Sequence, residues 1–272
     1  MIWTWAKLPA LVAAQIAPLF MAASGGEQGG AAELPSVLGM LTNHEGSLYH
    51  WVNIIYAALV SVILCFIAIR VYAKRQLIPG PFQNVVEMAV EGMYEFLYGI
   101  LGHDAKKYLP FLGTLFFYIL FMNLMGIIPG GHSPSTNINI TASLAIMVFL
   151  YAQYTGLTRL GIKGYFDHMI GQPRDLTSWL IVPLIFPIHV IGEFAKPFSL
   201  ALRLFGNITG EDILVAAFVG LGVTALSFSP VGIPFNIPFI LLGILLSTIQ
   251  ALVFTLLSTI YILMMLPHEE HA

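Results

Sequence analysis

Apolar residues fill this chain in long unbroken runs, separated by short polar stretches. Residues 51–69 form one run, closed by Arg70, Lys74 and Arg75. Residues 108–128 form a second, opened by Lys106 and Lys107 and ended by Pro129-Gly130-Gly131. A third, 140–157, is followed by Arg159, Lys163 and Arg174; 176–228 is apolar but punctuated by charges; 238–266 is the last. A helix needs roughly 20 mostly apolar residues to cross a bilayer. The runs are continuous rather than alternating, so they predict helices and not barrel strands.

Two other segments have their own patterns. In 81–101, Glu87, Glu91 and Glu95 recur at i, i+4 and i+8 on one helical face, while Val86, Val90, Met93, Tyr94 and Leu97 cover another. This predicts an amphipathic helix on the membrane surface, its acidic face either solvated or docked on a partner. Residues 8–24 follow a single Lys and end in small residues before a Gly-rich tract, the pattern of a secretory signal peptide or of an extra short membrane helix. Residues 25–50 hold three acids and no Lys or Arg and read as an exposed linker. The expected division is therefore 1–50, a signal-like or extra helix plus linker, and 51–272, a single membrane domain.

Composition narrows the class. Of 272 residues, only 9 % are charged and 58 % are hydrophobic, with a mean hydropathy of +0.85. Soluble domains carry about 25 % charged residues. This excludes a soluble enzyme, a nucleic-acid-binding protein and a disordered chain, and leaves an all-α integral membrane protein with the lipid bilayer as its solvent. The net charge of −3 implies no strongly charged partner. The one cysteine, Cys65, cannot form an intramolecular disulfide and reads as a small hydrophobe.

The basic residues set the topology. Five of the 11 Lys+Arg lie between Arg70 and Lys107 and three between Arg159 and Arg174, while 24–50 and 129–139 have none. The positive-inside rule puts 70–107 and 158–175 in the cytoplasm and the segment before Trp51 and the loop 129–139 outside.

The chemistry concentrates in 176–228. On a helix, His189, Glu193, Lys196, Ser199, Arg203, Asn207 and Glu211 follow one another in steps of three or four, one polar stripe on an apolar rod. The segment exceeds a single perpendicular span, so it tilts, breaks or forms a hairpin. Charges at bilayer depth cost about 2.5–3.5 kcal/mol each and normally face a bundle interior or an ion path. Glu, Asp and His can exchange protons there. Arg203 cannot lose its charge, so it suits a gate or counter-ion and not a proton carrier. Simpler roles compete: Lys196 can reach the interface, Glu193 can pair with Lys196, His189 can be structural, and Glu211 with Asp212 can sit in a turn. Arg203 has no carboxylate at i±4, and the last helix offers Ser247, Thr248 and Gln250 but no acid. A carboxylate on another chain would complete it.

The run Lys196-Pro197-Phe198-Ser199-Leu200-Ala201-Leu202-Arg203-Leu204-Phe205-Gly206-Asn207 resembles the signature of subunit a of the F-type ATP synthase membrane sector. Residues 79–87, with Gln83, Asn84 and Glu87, resemble the family's first cytoplasmic helix. Residues 123–130 (NLMGIIPG) with 133–141 (SPSTNINIT) resemble its second helix end and outer loop, and 249–254 its final helix. Together these cover residue 79 to the C-terminus.

The resemblance implies about five to six membrane helices. They include a long tilted helical hairpin packed against a ring of c subunits, plus the surface helix. It implies a proton-translocating stator subunit, not catalytic alone, with two half-channels that load and unload ring carboxylates. Arg203 would be the essential arginine that separates them and drives deprotonation. Glu211 and Asp212 would line the outer half-channel, Gln250 would face Arg203, and Asn207, Glu193, His189 and Lys196 would lie along the proton path. Some members carry a histidine seven residues before the glutamine; that position is Gly243 here, with His189 a candidate substitute. The implied partners are the c-ring, the peripheral-stalk b subunits and the rest of ATP synthase, in an energy-coupling membrane such as the bacterial inner membrane. No metal or cofactor is expected.

Two other classes fit less of the chain. A secondary proton or sodium antiporter would use the stripe as its substrate site, but no internal repeat is present. An intramembrane enzyme would need a Ser-His dyad, paired acids or metal-spaced histidines, and the His are scattered.

Overall fold

Six helices carry the described residues. The computed structural model describes residues 51–73, 76, 79–128, 131–170, 176–225 and 237–266. The expectations for 8–24, for the linker to residue 50 and for Lys74, Arg75 and Arg174 lie outside them. The helices are α1 (Val52–Ala73), α2 (Pro81–Leu101), α3 (Ala105–Ile127), α4 (Ile138–Ile170), α5 (Leu176–Ala225) and α6 (Ile237–Met264). Single 3-10 turns at Gly102–Asp104 and Pro134–Thr136 complete the described secondary structure. Among the described residues, five helical stretches are long and apolar enough to cross a membrane: Val52–Ala73, Pro81–Ile127, Ile138–Tyr165, Ile185–Phe218 and Ile240–Met264. The protein is all-α, as the continuous apolar runs predict.

Local chemistry sets the helix ends. Gly80 is extended and Pro81 opens α2, where its missing N–H costs nothing. Gly102, at φ 58°, stops α2 in a backbone region that other residues rarely enter. Its N–H bonds to the Tyr98 carbonyl. α4 is broken internally at Gly161 (φ 70°, ψ 167°), so residues after it turn away from the axis of those before. α5 runs for 50 residues through Pro183, Pro187 and Pro197. The length anticipated for 176–228 is thus a continuous helix to Ala225.

The chain falls into two compact units. One comprises residues up to Val60 with Leu120–Thr136 and Gly206–Gln250; the other comprises Ser61–Ile119, Asn137–Phe205 and Ala251 onward.

In the first unit, the loop after α3 is tied down by polar side chains. His132 Nε2 lies 2.6 Å from Asn53 Oδ1, and the Ser135 hydroxyl donates to Asn123 Oδ1 at 2.7 Å. The Ser133 hydroxyl donates to the Met122 carbonyl at 3.2 Å. Gly126 makes this possible: a Cβ there would lie 2.9 Å from the Ser133 Cβ.

The second unit holds an apolar core of Met93, Leu97 and Leu101 from α2, Ala105, Tyr108 and Leu112 from the start of α3, Ala152 and Ile262. Phe111 stacks on Tyr151 at 3.9 Å between ring centroids. The acidic face of α2 is exposed at Glu87, Glu91 and Glu95, as its spacing predicts. The apolar face is narrower than expected. Met93 and Leu97 are buried, Val86 is half-buried, and Val90 is exposed at 41 %. The neighbours that cover α2 meet its C-terminal half, so only that half packs on protein. Its N-terminal half is held by Gln83, which accepts from the Gln76 N–H at 3.1 Å and donates to Glu87 Oε1 at 2.7 Å.

Truncating a fully buried leucine removes both transfer energy and packing. We expect Leu97→Ala to cost about 2–5 kcal/mol and to lower the thermal midpoint of the purified protein clearly. Glu91→Gln, on the exposed face, should leave the midpoint within a degree or two, on the scale of about ±0.5 kcal/mol for such sites. Equal midpoints for the two variants in a detergent melting experiment would refute the packing assigned to α2.

Candidate functional site

Two polar clusters are built on α5, one in each unit. The cluster in the second unit centres on Glu193, which is 7 % exposed. A buried carboxylate is costly unless charge and hydrogen bonds compensate it. Here both oxygens are engaged. Lys196, one turn on, donates to Oε1, and Gln153 Nε2 of α4 donates to Oε2 at 3.0 Å. The Gln153 carbonyl oxygen in turn accepts from the Tyr165 hydroxyl. The Lys196 ammonium also stands 5.5 Å from the centroid of the Tyr261 ring, within cation–π range. A cavity of about 10 Å³, enough for one water, is bordered by Gln153, Glu193, Lys196, Leu200 and Tyr261.

Arg203 belongs to the same unit and is exposed on α5. It stands in the polar stripe with Lys196, Ser199 and Asn207, while Ile191, Phe194, Phe198 and Leu202, all 40 % exposed or more, form an apolar strip on another side of α5. It lies within electrostatic reach of the Tyr261 phenol. Among the described residues no acid forms an ion pair with it; the pairs present are Arg159–Asp104 and Lys196–Glu193. His189 is half-buried one turn before Glu193.

The cluster in the first unit joins α5 to α6. Asn207 Nδ2 donates to Gln250 Oε1 at 3.2 Å. One turn along α5, Glu211 is 8 % exposed and meets Gly243 of α6, two turns before Gln250. As the position rises on α5 it falls on α6, so the two segments run antiparallel. Gly243 is essential to this contact. A Cβ there would collide with Glu211 Oε1, lie 3.2 Å from its Cδ and 3.6 Å from Ile127 Cδ1. Ser247, between Gly243 and Gln250 on the same face of α6, stands beside the Glu211 carboxyl short of hydrogen-bond geometry. Asp212, half-buried, adds its charge next to Glu211.

This first-unit cluster has unmet polar groups. Glu211 Oε2, Ser247 Oγ and Gln250 Nε2 are all buried without a hydrogen-bond partner. Buried polar atoms are normally paired with protein or with ordered water. Three such atoms in one cluster mark a place suited to water. The Glu193 cluster has no unmet atom of this kind among its described side chains.

The residues singled out from sequence thus divide into two groups. Glu193 and Lys196 meet each other, with His189 one turn away; Asn207 meets Gln250, with Glu211 and Asp212 one turn on. The space over Gly243 is filled by the Glu211 carboxyl. Sequence reasoning missed Gln153, Tyr165 and Tyr261. Gln153 was visible as a polar residue in an apolar run, but nothing in its spacing links it to Glu193, 40 residues away. Among the described residues no group of three or more His, Cys, Asp or Glu is placed to hold a metal.

Comparison with known proteins places this arrangement in context. A family model described as ATP synthase A chain matches residues 53–263. The chain is 44 % identical over 246 residues to ATP synthase subunit a of Protochlamydia amoebophila, covering 88 % of this chain and 90 % of that protein. It is 37 % identical over 228 residues to ATP synthase subunit a of Oleidesulfovibrio alaskensis, covering 84 % and 91 %. It is also 37 % identical over 224 residues to ATP synthase subunit a of Moorella thermoacetica, covering 80 % and 92 %.

The Gly243–Glu211 contact is open to a direct steric test. Gly243→Ala should displace the carboxyl at a cost of about 1 kcal/mol, the low end for overpacking, because the carboxyl ends a flexible side chain. Glu211→Ser in the same background should recover most of the lost thermal midpoint. No recovery in the double variant would mean that the two positions are not in contact.

Proposed function

This chain belongs to the ATP synthase A chain family, and from that membership we propose that it forms two proton half-channels against a rotating ring of c subunits. It is a component of the ATP synthase complex with a proton-translocating stator role. In our reading it is non-catalytic alone, and its partners are the c-ring, the peripheral-stalk b subunits and the rest of the enzyme. The setting is an energy-coupling membrane, the bacterial inner membrane. Residues 51–272 act as one membrane domain.

The exposure of Arg203 within the apolar span Ile185–Phe218 carries the proposal. A guanidinium there keeps its charge at every working pH. Held against lipid it would cost about 2.5–3.5 kcal/mol on insertion scales. A carboxylate on a passing ring subunit would remove that cost by pairing with it. The same attraction favours the deprotonated ring acid, so a proton leaves the ring as the acid arrives at Arg203. The fixed positive charge also repels a proton that would otherwise cross directly between the half-channels.

The polar atoms around Asn207, Glu211, Asp212, Ser247 and Gln250 support a hydrated outer half-channel. Their unmet hydrogen bonds would be met by a file of waters, along which a proton reaches the ring carboxylate. The neutralised ring acid can then enter lipid, because its charge is gone. On the other side, Glu193, Lys196 and His189 would border the cytoplasmic half-channel. They precede Arg203 in the sequence, and the outer set follows it. Moving one charge through 100 mV is worth about 2.3 kcal/mol, which biases the direction of rotation.

Two measurements test this. Arg203→Ala should abolish proton-driven ATP synthesis in reconstituted vesicles while leaving the complex assembled; normal synthesis would overturn the proposal. The purified chain alone should neither hydrolyse ATP nor exchange ions. Robust antiport by the lone polypeptide would assign it instead to the secondary transporters.

A further inference from the structure

Glu193 lies on α5, yet the group that bonds its second oxygen comes from α4, and α4 is shaped for that purpose. Gln153 precedes the break at Gly161 and Tyr165 follows it. On a straight helix these two residues, 12 apart, would stand about 18 Å from each other along the axis. The non-helical backbone at Gly161 folds the chain back, so that the Tyr165 hydroxyl reaches Gln153 Oε1. Gly156 clears the way. A Cβ there would stand 3.3 Å from Tyr165 Cδ2 and 3.1 Å from Met265 Sδ, so a side chain at 156 would press on the Tyr165 ring. Two glycines and a tyrosine thus converge on one amide.

The amide needs this support. A glutamine side chain has a donor end and an acceptor end of almost the same shape, and it can present either one by rotating. If its carbonyl faced Glu193, two acceptors would oppose each other in a buried site. The Tyr165 hydroxyl donates to the carbonyl and holds it away, which aims the NH₂ at Glu193 Oε2. Glu193 is then bonded at both oxygens, by Lys196 and by Gln153. Its position beside the cavity is thereby set.

We propose that Gln153 and Tyr165 are positioning residues of the proton path: Tyr165 orients the Gln153 amide, which holds the Glu193 carboxylate in its pair with Lys196. This rests on the reading that Glu193 borders the cytoplasmic half-channel. In this role Tyr165 acts through Gln153.

The test uses the whole ATP synthase complex reconstituted in vesicles, with passive proton conduction measured through the membrane sector after the catalytic head is removed. Tyr165→Phe keeps the ring packed against Gly156 and deletes only the hydroxyl. It should lower proton flux by roughly five-fold, the scale of one neutral hydrogen bond, with subunit content unchanged. Gln153→Leu should lower flux at least as much. The double variant should match Gln153→Leu alone, because the hydroxyl acts only through the amide. A merely structural tyrosine would give additive losses, and that result, or unchanged flux in Tyr165→Phe, would overturn the proposal. If Gln153→Leu does not assemble, Gln153→Met supplies the same comparison with an unbranched side chain. Arg203→Ala in parallel separates the two claims. Coupled synthesis surviving Arg203→Ala defeats the half-channel reading itself. Synthesis abolished there, with additive or silent Tyr165 and Gln153 variants, defeats only the positioning role.

Discussion

Lipid offers no hydrogen-bond partner to a peptide group, so a chain that crosses it must satisfy its own backbone. That requirement explains why the described secondary structure is entirely helical, and it makes the exceptions informative. α5 tolerates Pro183, Pro187 and Pro197 along its 50 residues. Each proline lacks an N–H and leaves the carbonyl four residues earlier without its helical partner. Pro197 does this to Glu193, so a freed backbone carbonyl and a buried carboxylate occur at the same residue. The break at Gly161 spends helical hydrogen bonds too, and what it achieves is the return of Tyr165 to Gln153. In both places the backbone departs from regularity beside polar side chains.

The same low dielectric sorts the two clusters by how completely they are satisfied. Glu193 has a cation on one oxygen and an amide on the other, with an aromatic face on the cation. Such a network is fixed in geometry, and removing any one partner leaves a buried group exposed to the full desolvation cost. Glu211 has packing instead of partners: Gly243 gives it room, Ser247 stands beside it, and one oxygen is left unmet. The first arrangement suits a carboxylate held in place. The second suits a group that exchanges hydrogen bonds with mobile waters. Arg203 differs from both, since it is exposed within an apolar span and its charge has no acid partner among the described residues.

Much of the fold was legible because the membrane simplifies the code. A run of apolar residues about as long as a bilayer is thick has few other structures available. The ends of α2 were written in Pro81 and Gly102, and its acidic face in the spacing of Glu87, Glu91 and Glu95. The extent of its apolar face was not, because periodicity says which residues share a side but not which neighbours cover it. Val90 matches the pattern and is exposed; Met93 and Leu97 match it and are buried.

The candidate site divides along the same line. Helical spacing alone aligned Glu193, Lys196, Arg203, Asn207 and Glu211, since residues three or four apart are neighbours by the geometry of one helix. It also exposed Arg203 as a cation without a local acid. Contacts between helices carry no such periodic mark. That Glu211 meets Gly243, that Asn207 bonds Gln250, and that Tyr165 reaches Gln153 to aim it at Glu193 depend on how separate helices pack and where one of them bends. The sequence by itself determined the solvent, the helices and the polar stripe. Tertiary structure decided the partner of each charge, because a partner on another helix is chosen by distance in space and not by distance along the chain.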